Sequence, residues 1–269
     1  NASEEHNYRL RMYVTEEYNP QGDGGGLAFK VQVNVYGKAG DKPLTGAEML
    51  IEKANPEDLD YNSATDEEKK KMWTHTHPET EQTEALTDYR YIGADPNNYV
   101  QFNNELWRII GVFTVDDGTG NVEERLKIIR NESIGNYSWD NKDTSTGAES
   151  DFGKNNWTDA RLNYLLNPGH ESESVGGSLY WKSGGGTCYN GQNNGTTNCD
   201  FTTTGLDSGA RDMIGDTLWY LGGISSYTSA SDGLASHFYT YERGTNVYNS
   251  STSPRDTSWV GKVGLMYPS

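Results

Sequence analysis

"NNYVQFNNELWRIIGVF", residues 97–113, is the stretch on which the fold turns. Trp107, Ile109 and Gly111 alternate with Arg108, Ile110 and Val112, the two-residue period of a strand. Apolar residues fall in both sets, which predicts a strand inside a sheet and covered on both sides. The run contains no His, Cys, Asp or Ser. Trp107 and Arg108 are therefore assigned to packing and to a stacking or salt-bridge role.

The flanking sequence extends the pattern. Val115 and Val122 bracket "DDGTGN", residues 116–121, whose Asp, Gly and Asn favour a hairpin turn. Upstream, "DYRYIG" (88–93) reads as another strand. Two helices are expected beyond it. One lies in "NWTDARLNYLLNPG" (156–169), capped by Asn156 or Thr158 and stopped at Asn167-Pro168-Gly169. The other spans "DSGARDMIGDTLWYLGG" (207–223), with Asp207 or Ser208 as cap and Gly222-Gly223 as stop. "WVGKVGLMYPS" (259–269) reads as a final strand.

The N-terminal third reads differently. Residues 7–17 and 27–36 alternate as two half-buried strands joined by "YNPQGDGGG", a hairpin too small to be stable alone. "TGAEMLIEK" (45–53) reads as a short helix. The acidic stretch after it reads as a charged linker, with a second short helix in "TDEEKKKMW" (65–73), where Thr65 is the cap. The expected organisation is a β-hairpin stem over 1–44, part of a β-sandwich in one version. Short helices and linker follow over 45–86, then an α+β surface domain over 87–269. The fold class is α+β and β-rich, with short strands, two helices and long loops in the larger domain.

Composition narrows the function. Hydrophobic residues make up 33% of the chain, below the roughly 45–50% of an average globular domain. The 18 Tyr, 7 Trp and 6 Phe offset this and argue against wholesale disorder. A formal net charge of −17 excludes phosphate-backbone recognition, so no nucleic-acid partner is expected. No apolar run is long enough to insert directly into a membrane. Two cysteines, Cys188 and Cys199, bracket a polar Gly/Asn loop; they are too few for an all-thiolate zinc site and are read as a local disulfide. That implies an oxidising compartment and a secreted or cell-surface location.

No catalytic residue is assigned. A nucleophile elbow, a phosphate loop and a dinucleotide fingerprint are all missing from the sequence. His75 and His77 have metal-ligand spacing on an extended chain, but without an evident third ligand. Asp140, Asp143 and Asp151 crowd one loop and are the calcium candidates, although the spacing misses the EF-hand pattern. No other cofactor is expected. The Tyr/Asn/Ser/Gly loops 136–153 and 183–204, with 225–258, suit adaptable recognition, and Tyr137, Trp139, Tyr189, Tyr239, Tyr241 and Tyr248 are the binding candidates.

Six ordered motifs carry a resemblance over about residues 87–269: "DPNNYVQFNNELWRIIGVF", "LKIIRNESIGNYSWD", "NNWTDARLNYLLNPGHE", "GTCYNGQNN", "LWYLGG" and "WVGKVGLMYPS". Together they resemble uncharacterised cell-surface proteins of gut Firmicutes. The "W-T-x-x-x-L" and "LLN" pattern is also similar to domains comparable to C-type-lectin-like or sulfatase-modifying-factor-like folds. The upstream hairpin is similar to a segment of secreted biofilm-matrix β-sandwich proteins. These relatives continue past "GLMYPS" into a further Trp/Tyr-rich half, so the chain is expected to be either a shortened form or a piece of a longer protein. The resemblance implies adhesion, filament or matrix formation and supplies no active-site residue. The leading expectation is a non-enzymatic extracellular adhesin or assembly subunit, whose partner is a host or bacterial surface glycan or protein, or itself. The alternatives are a lectin-like carbohydrate-binding module, a fibre subunit polymerising by N-terminal strand exchange, and a glycoside hydrolase.

Overall fold

Asn103 and Asn104 both hold left-handed backbone angles, φ 54 and 58, and turn residues 97–113 back on themselves. Asn tolerates this region better than most residues, and two such residues in succession make the tight turn of a β-hairpin. Phe102 therefore faces Glu105, and Tyr99 faces Arg108. The quoted stretch is two strands rather than one.

The computed structural model describes residues 43–77, 85–141, 153, 156–221, 238 and 256–266. Among these, three α-helices and nine strands follow in order: α1 (Gly46–Ala54), β1 (Met72–His77), β2 (Leu86–Tyr91), β3 (Tyr99–Phe102), β4 (Glu105–Asp116), β5 (Val122–Arg130), α2 (Arg161–Leu166), β6 (Gly185–Tyr189), β7 (Thr196–Asp200), α3 (Ser208–Met213), β8 (Thr217–Tyr220) and β9 (Ser258–Gly261). The class is α+β and β-dominated. The chain divides into units Asn1–Leu44 and Thr45–Ser269; the strands expected at 7–17 and 27–36 lie outside the described residues.

β4 organises the main sheet. β5 pairs along it from Trp107 to Asp116. β3 pairs with Glu105–Arg108 and β2 with Gly111 and Val112, so β2 and β3 share the opposite edge. The hairpin turn at 116–121 forms as expected, with the Asp116 carboxylate accepting from the Gly118 and Gly120 amides at 2.6 and 3.1 Å.

A bulge at Ile110 breaks the simple alternation of β4. Ile109 pairs with Ile128, but Gly111 pairs with Lys127. Gly111 and Phe113 thereby fall on the Arg108 side and Val112 on the Trp107 side, which corrects the alternation read from the sequence. At Gly111 the β2 backbone passes so close that a Cβ would sit 2.4 Å from the Tyr89 carbonyl oxygen. The Arg90 guanidinium and the Lys127 ammonium then lie 5.0 and 5.8 Å from the Phe113 ring.

The segment expected as a linker contributes to the fold. The short helix expected at 45–53 forms as α1, and Thr45 and Glu48 give it a full capping box. The second short helix is a single 3-10 turn, Glu68–Lys70, whose N-cap is Glu67 rather than Thr65; the Thr65 hydroxyl accepts from the Glu68 amide at 3.3 Å. Met72–His77, read as the end of a charged region, instead pairs along the whole of β2. Met72 and Trp73 are the reason: both are buried, and that apolar pair outweighs the charge around it.

A hydrophobic core gathers Leu165, Tyr180, Cys188, Phe201 and Leu206, with Phe102 and Trp107 packed on its margin. Glu105 and Arg130 close its edge through a bidentate pair, with Nε 2.8 Å from each carboxylate oxygen. Burial alone would raise the Glu105 pKa, but the hydrogen bonds and charge of Arg130 outweigh it and the net shift is downward. Burial, with the Glu105 charge nearby, pushes the Tyr180 phenol up to about 12.

Both later helices are shorter than expected. α2 starts at Arg161 after a 3-10 turn and ends at Leu166, with Asn167 as its C-cap; neither Asn156 nor Thr158 caps its start. α3 takes Asp207 as cap, as expected, but ends at Met213. Thr217–Tyr220 is a strand paired with β9. Gly215 interrupts the helical pattern, and Trp219 and Tyr220 favour the extended form.

Candidate recognition surface

The β6–β7 hairpin carries its tip, Asn190–Gly195, beyond the core. Gly191, Asn193 and Asn194 take positive φ angles of 78, 53 and 56, the conformation that Gly and Asn accept at least cost. The Asn190 amide closes the tip on the Gly195 carbonyl at 2.9 Å. Below the tip, Cys188 and Cys199 form a disulfide across the two strands, with Cα atoms 5.9 Å apart. Cys188 is fully buried. The bond fits an oxidising compartment outside a reducing cytoplasm. Among the described residues, no helix is long and apolar enough to cross a membrane.

The segment after β5 runs beside this tip. The Ser138 amide donates to the Tyr189 carbonyl at 3.3 Å, and its hydroxyl donates to the Gly191 carbonyl at 2.8 Å. The Asn194 amide donates to the Asn141 carbonyl at 2.7 Å, and the Asn141 side chain returns a bond to the Gly195 carbonyl at 2.9 Å. Two loops that the sequence singled out separately are thus one surface.

Arg161, the first residue of α2, fixes that surface. Its Nη1 donates to Asn141 Oδ1 at 2.6 Å and its Nη2 to Asn194 Oδ1 at 2.8 Å. Its Nε lies 3.4 Å from the buried Asp140 carboxylate. Its guanidinium carbon sits 3.8 Å over the Tyr189 ring centre. One planar fork therefore meets both loops, a use that Lys cannot reproduce.

The candidate aromatics divide by role. Tyr137 packs on Phe201 at 5.6 Å, and burial raises its phenol pKa. Trp139 packs on buried Trp157 at 5.4 Å. Tyr189 carries the Arg161 guanidinium on its ring. Each is half-buried, so each rigidifies the surface while showing part of its ring. Tyr239, Tyr241 and Tyr248 lie outside the described residues.

Of the calcium candidates, Asp140 faces the Arg161 cation, while Asp143 and Asp151 lie outside the described residues. No group of three metal-ligating side chains occurs among the described residues. His75 and His77 stand on β1 opposite Asp88 and Leu86 rather than in a linker. Arg161, Asn141 and Asn194 are the organising residues that sequence reading missed. The Gly/Asn loop between the cysteines was marked, but nothing in the linear order paired Asn194 with an arginine thirty-three positions earlier.

Comparison with protein-family models, curated proteins and solved structures gives no match to this chain.

Proposed function

We propose that the protein is a non-enzymatic extracellular bacterial surface protein, an adhesin or assembly subunit, and that the joined loops 136–141 and 189–195 are its contact surface. The observation that carries this reading is the Arg161 clamp. Binding loops gain affinity when their conformation is fixed before contact, and Arg161 holds both loops by hydrogen bonds, charge and ring contact. The exposed groups at the rim are amides, from Asn136, Asn190, Asn193 and Asn194. Amides present a donor and an acceptor together and suit hydroxyl-rich or peptide partners. The same rim supports the second reading, a lectin-like carbohydrate-binding module.

The test is saturable binding of the purified chain to immobilised cell-wall polymers, host glycans and its own copies. The proposal expects retention on at least one of these without chemical change to it. Release of new reducing ends from a glycan would instead make the protein a hydrolase.

A further inference from the structure

The chain contains two Asn-Gly pairs, Asn190-Gly191 and Asn194-Gly195, and both stand in the tip between β6 and β7. Such a pair is reactive in water for a steric reason: glycine has no Cβ to shield its own amide nitrogen. That nitrogen can close a five-membered ring on the preceding side-chain amide. Both asparagines are exposed to water. The folded tip nevertheless treats the two pairs differently.

Asn194-Gly195 is anchored at both ends of the reaction. The Gly195 amide donates to the Gln192 carbonyl at 2.8 Å, which occupies the nitrogen that would attack. The Asn194 Oδ1, on the carbon that would be attacked, accepts from Arg161 Nη2 at 2.8 Å. The flanking backbone is held as well. The Asn194 amide donates to the Asn141 carbonyl at 2.7 Å, and the Gly195 carbonyl accepts from the Asn190 amide and the Asn141 side chain, each at 2.9 Å. Gly195 is packed so closely that a Cβ there would come 2.6 Å from the Asn190 carbonyl oxygen. Ring closure at this pair has to break the bond to Gln192 and turn a peptide unit that is tied on both sides.

Asn190-Gly191 lacks these restraints. The Gly191 amide donates to no group among the described residues. A Cβ built on Gly191 would meet nothing within 4 Å, so the space around the nitrogen is open. The Asn190 Nδ2 donates to the Asn136 carbonyl at 3.3 Å, longer than the roughly 3.2 Å limit of a good N–H···O bond. The group that would leave is therefore held loosely.

We propose that Asn190 is a self-modification site, converted to aspartate and isoaspartate in the folded chain while Asn194 is protected. Water is the co-reactant. Gly191 N gives its proton to hydroxide and attacks Asn190 Cγ. The N–Cγ bond forms, the Cγ–Nδ2 bond breaks, and water protonates the departing nitrogen, so ammonia leaves and hydroxide is regenerated. Water then opens the ring. Addition at Cγ breaks the new N–Cγ bond and gives aspartate. Addition at the Asn190 backbone carbonyl carbon breaks the original peptide bond and gives isoaspartate, whose main chain runs through Cβ and Cγ. No electrons are gained or lost.

Either product adds a negative charge to the tip and removes the side-chain donor to the Asn136 carbonyl. Isoaspartate also lengthens the main chain beside Gly191, whose carbonyl accepts from the Ser138 hydroxyl at 2.8 Å. The join between the two loops is loosened in consequence. The reaction itself is independent of what the loops bind.

The experiment incubates the full, disulfide-bonded chain in mildly alkaline buffer, once folded and once in urea. Proteolysis in acid and mass spectrometry then follow each asparagine, and labelling by an isoaspartyl methyltransferase identifies the isoaspartate. In the folded chain Asn190 converts at least about tenfold faster than Asn194, the factor that a retained hydrogen bond and an anchored side chain add to the barrier. In urea, where neither pair is held, the two rates converge. Equal rates in the folded chain, faster conversion at Asn194, or an Asn190 that stays intact when folded would each overturn the proposal.

Discussion

Arg161 sits 3.8 Å over the Tyr189 ring and so couples the start of α2 to the disulfide-bonded hairpin. The same guanidinium reaches Asp140, Asn141 and Asn194. Replacing it by Ala takes the cation from a carboxylate that is 5% exposed, a loss of about 2–3 kcal/mol. Lys restores charge but not the planar fork, so Arg161→Lys recovers less than half of that loss. Urea unfolding measures both, and hydrogen exchange of the Asn190–Gly195 amides reports the loosening.

The disulfide joins residues 11 apart in sequence. Closing so short a loop restricts the unfolded chain modestly, and replacing both Cys188 and Cys199 by Ala costs about 2–3 kcal/mol. The same shift appears in the wild-type chain on reduction, and reductant has no effect on the double variant.

Much of the main sheet was legible in the sequence. The alternation of residues 97–113, the 116–121 turn and the short helix at 45–53 are local signals, and local geometry follows from them. The bulge at Ile110 was not legible, because it depends on how β2 crosses Gly111. The strand at 217–220 was hidden by a helical apolar pattern in "MIGDTLWYL" that β9 overrides through pairing. Of the site, the sequence marked both loops and the disulfide. It did not mark Arg161, whose partners come together only in three dimensions.

Gly111 tests the β2–β4 crossing. A methyl group there meets the Tyr89 carbonyl at 2.4 Å, and the backbone on both sides is paired. Gly111→Ala destabilises by about 3 kcal/mol. Thermal unfolding checks this; an unchanged midpoint means that the strands do not approach as described.

Two partly buried groups contribute to the response to acid. Burial holds His170 below its ordinary value of 6.5, so as pH falls the unfolded chain takes up the proton first and stability declines. That contribution is complete above the unfolded value and lost on the way down to the folded one. Glu105 is also shifted downward from 4.5, because Arg130 outweighs the effect of burial, and its contribution disappears at lower pH. Urea midpoints of the wild type relative to His170→Gln should fall as pH drops through and below the ordinary imidazole value, and relative to Glu105→Gln only once pH drops through and below the ordinary carboxylate value. Comparing variants cancels the change in net charge.

The central claim is that Arg161 presets a contact surface. The most direct measurement counts beads coated with wild-type, Arg161→Lys or Arg161→Ala chains that stay attached under flow to surfaces bearing bacterial cell wall or mucin. Wild-type beads should attach, Arg161→Ala beads should attach at least about tenfold less, and Arg161→Lys beads should fall between. Equal attachment by all three, with the variants still folded, would contradict the account.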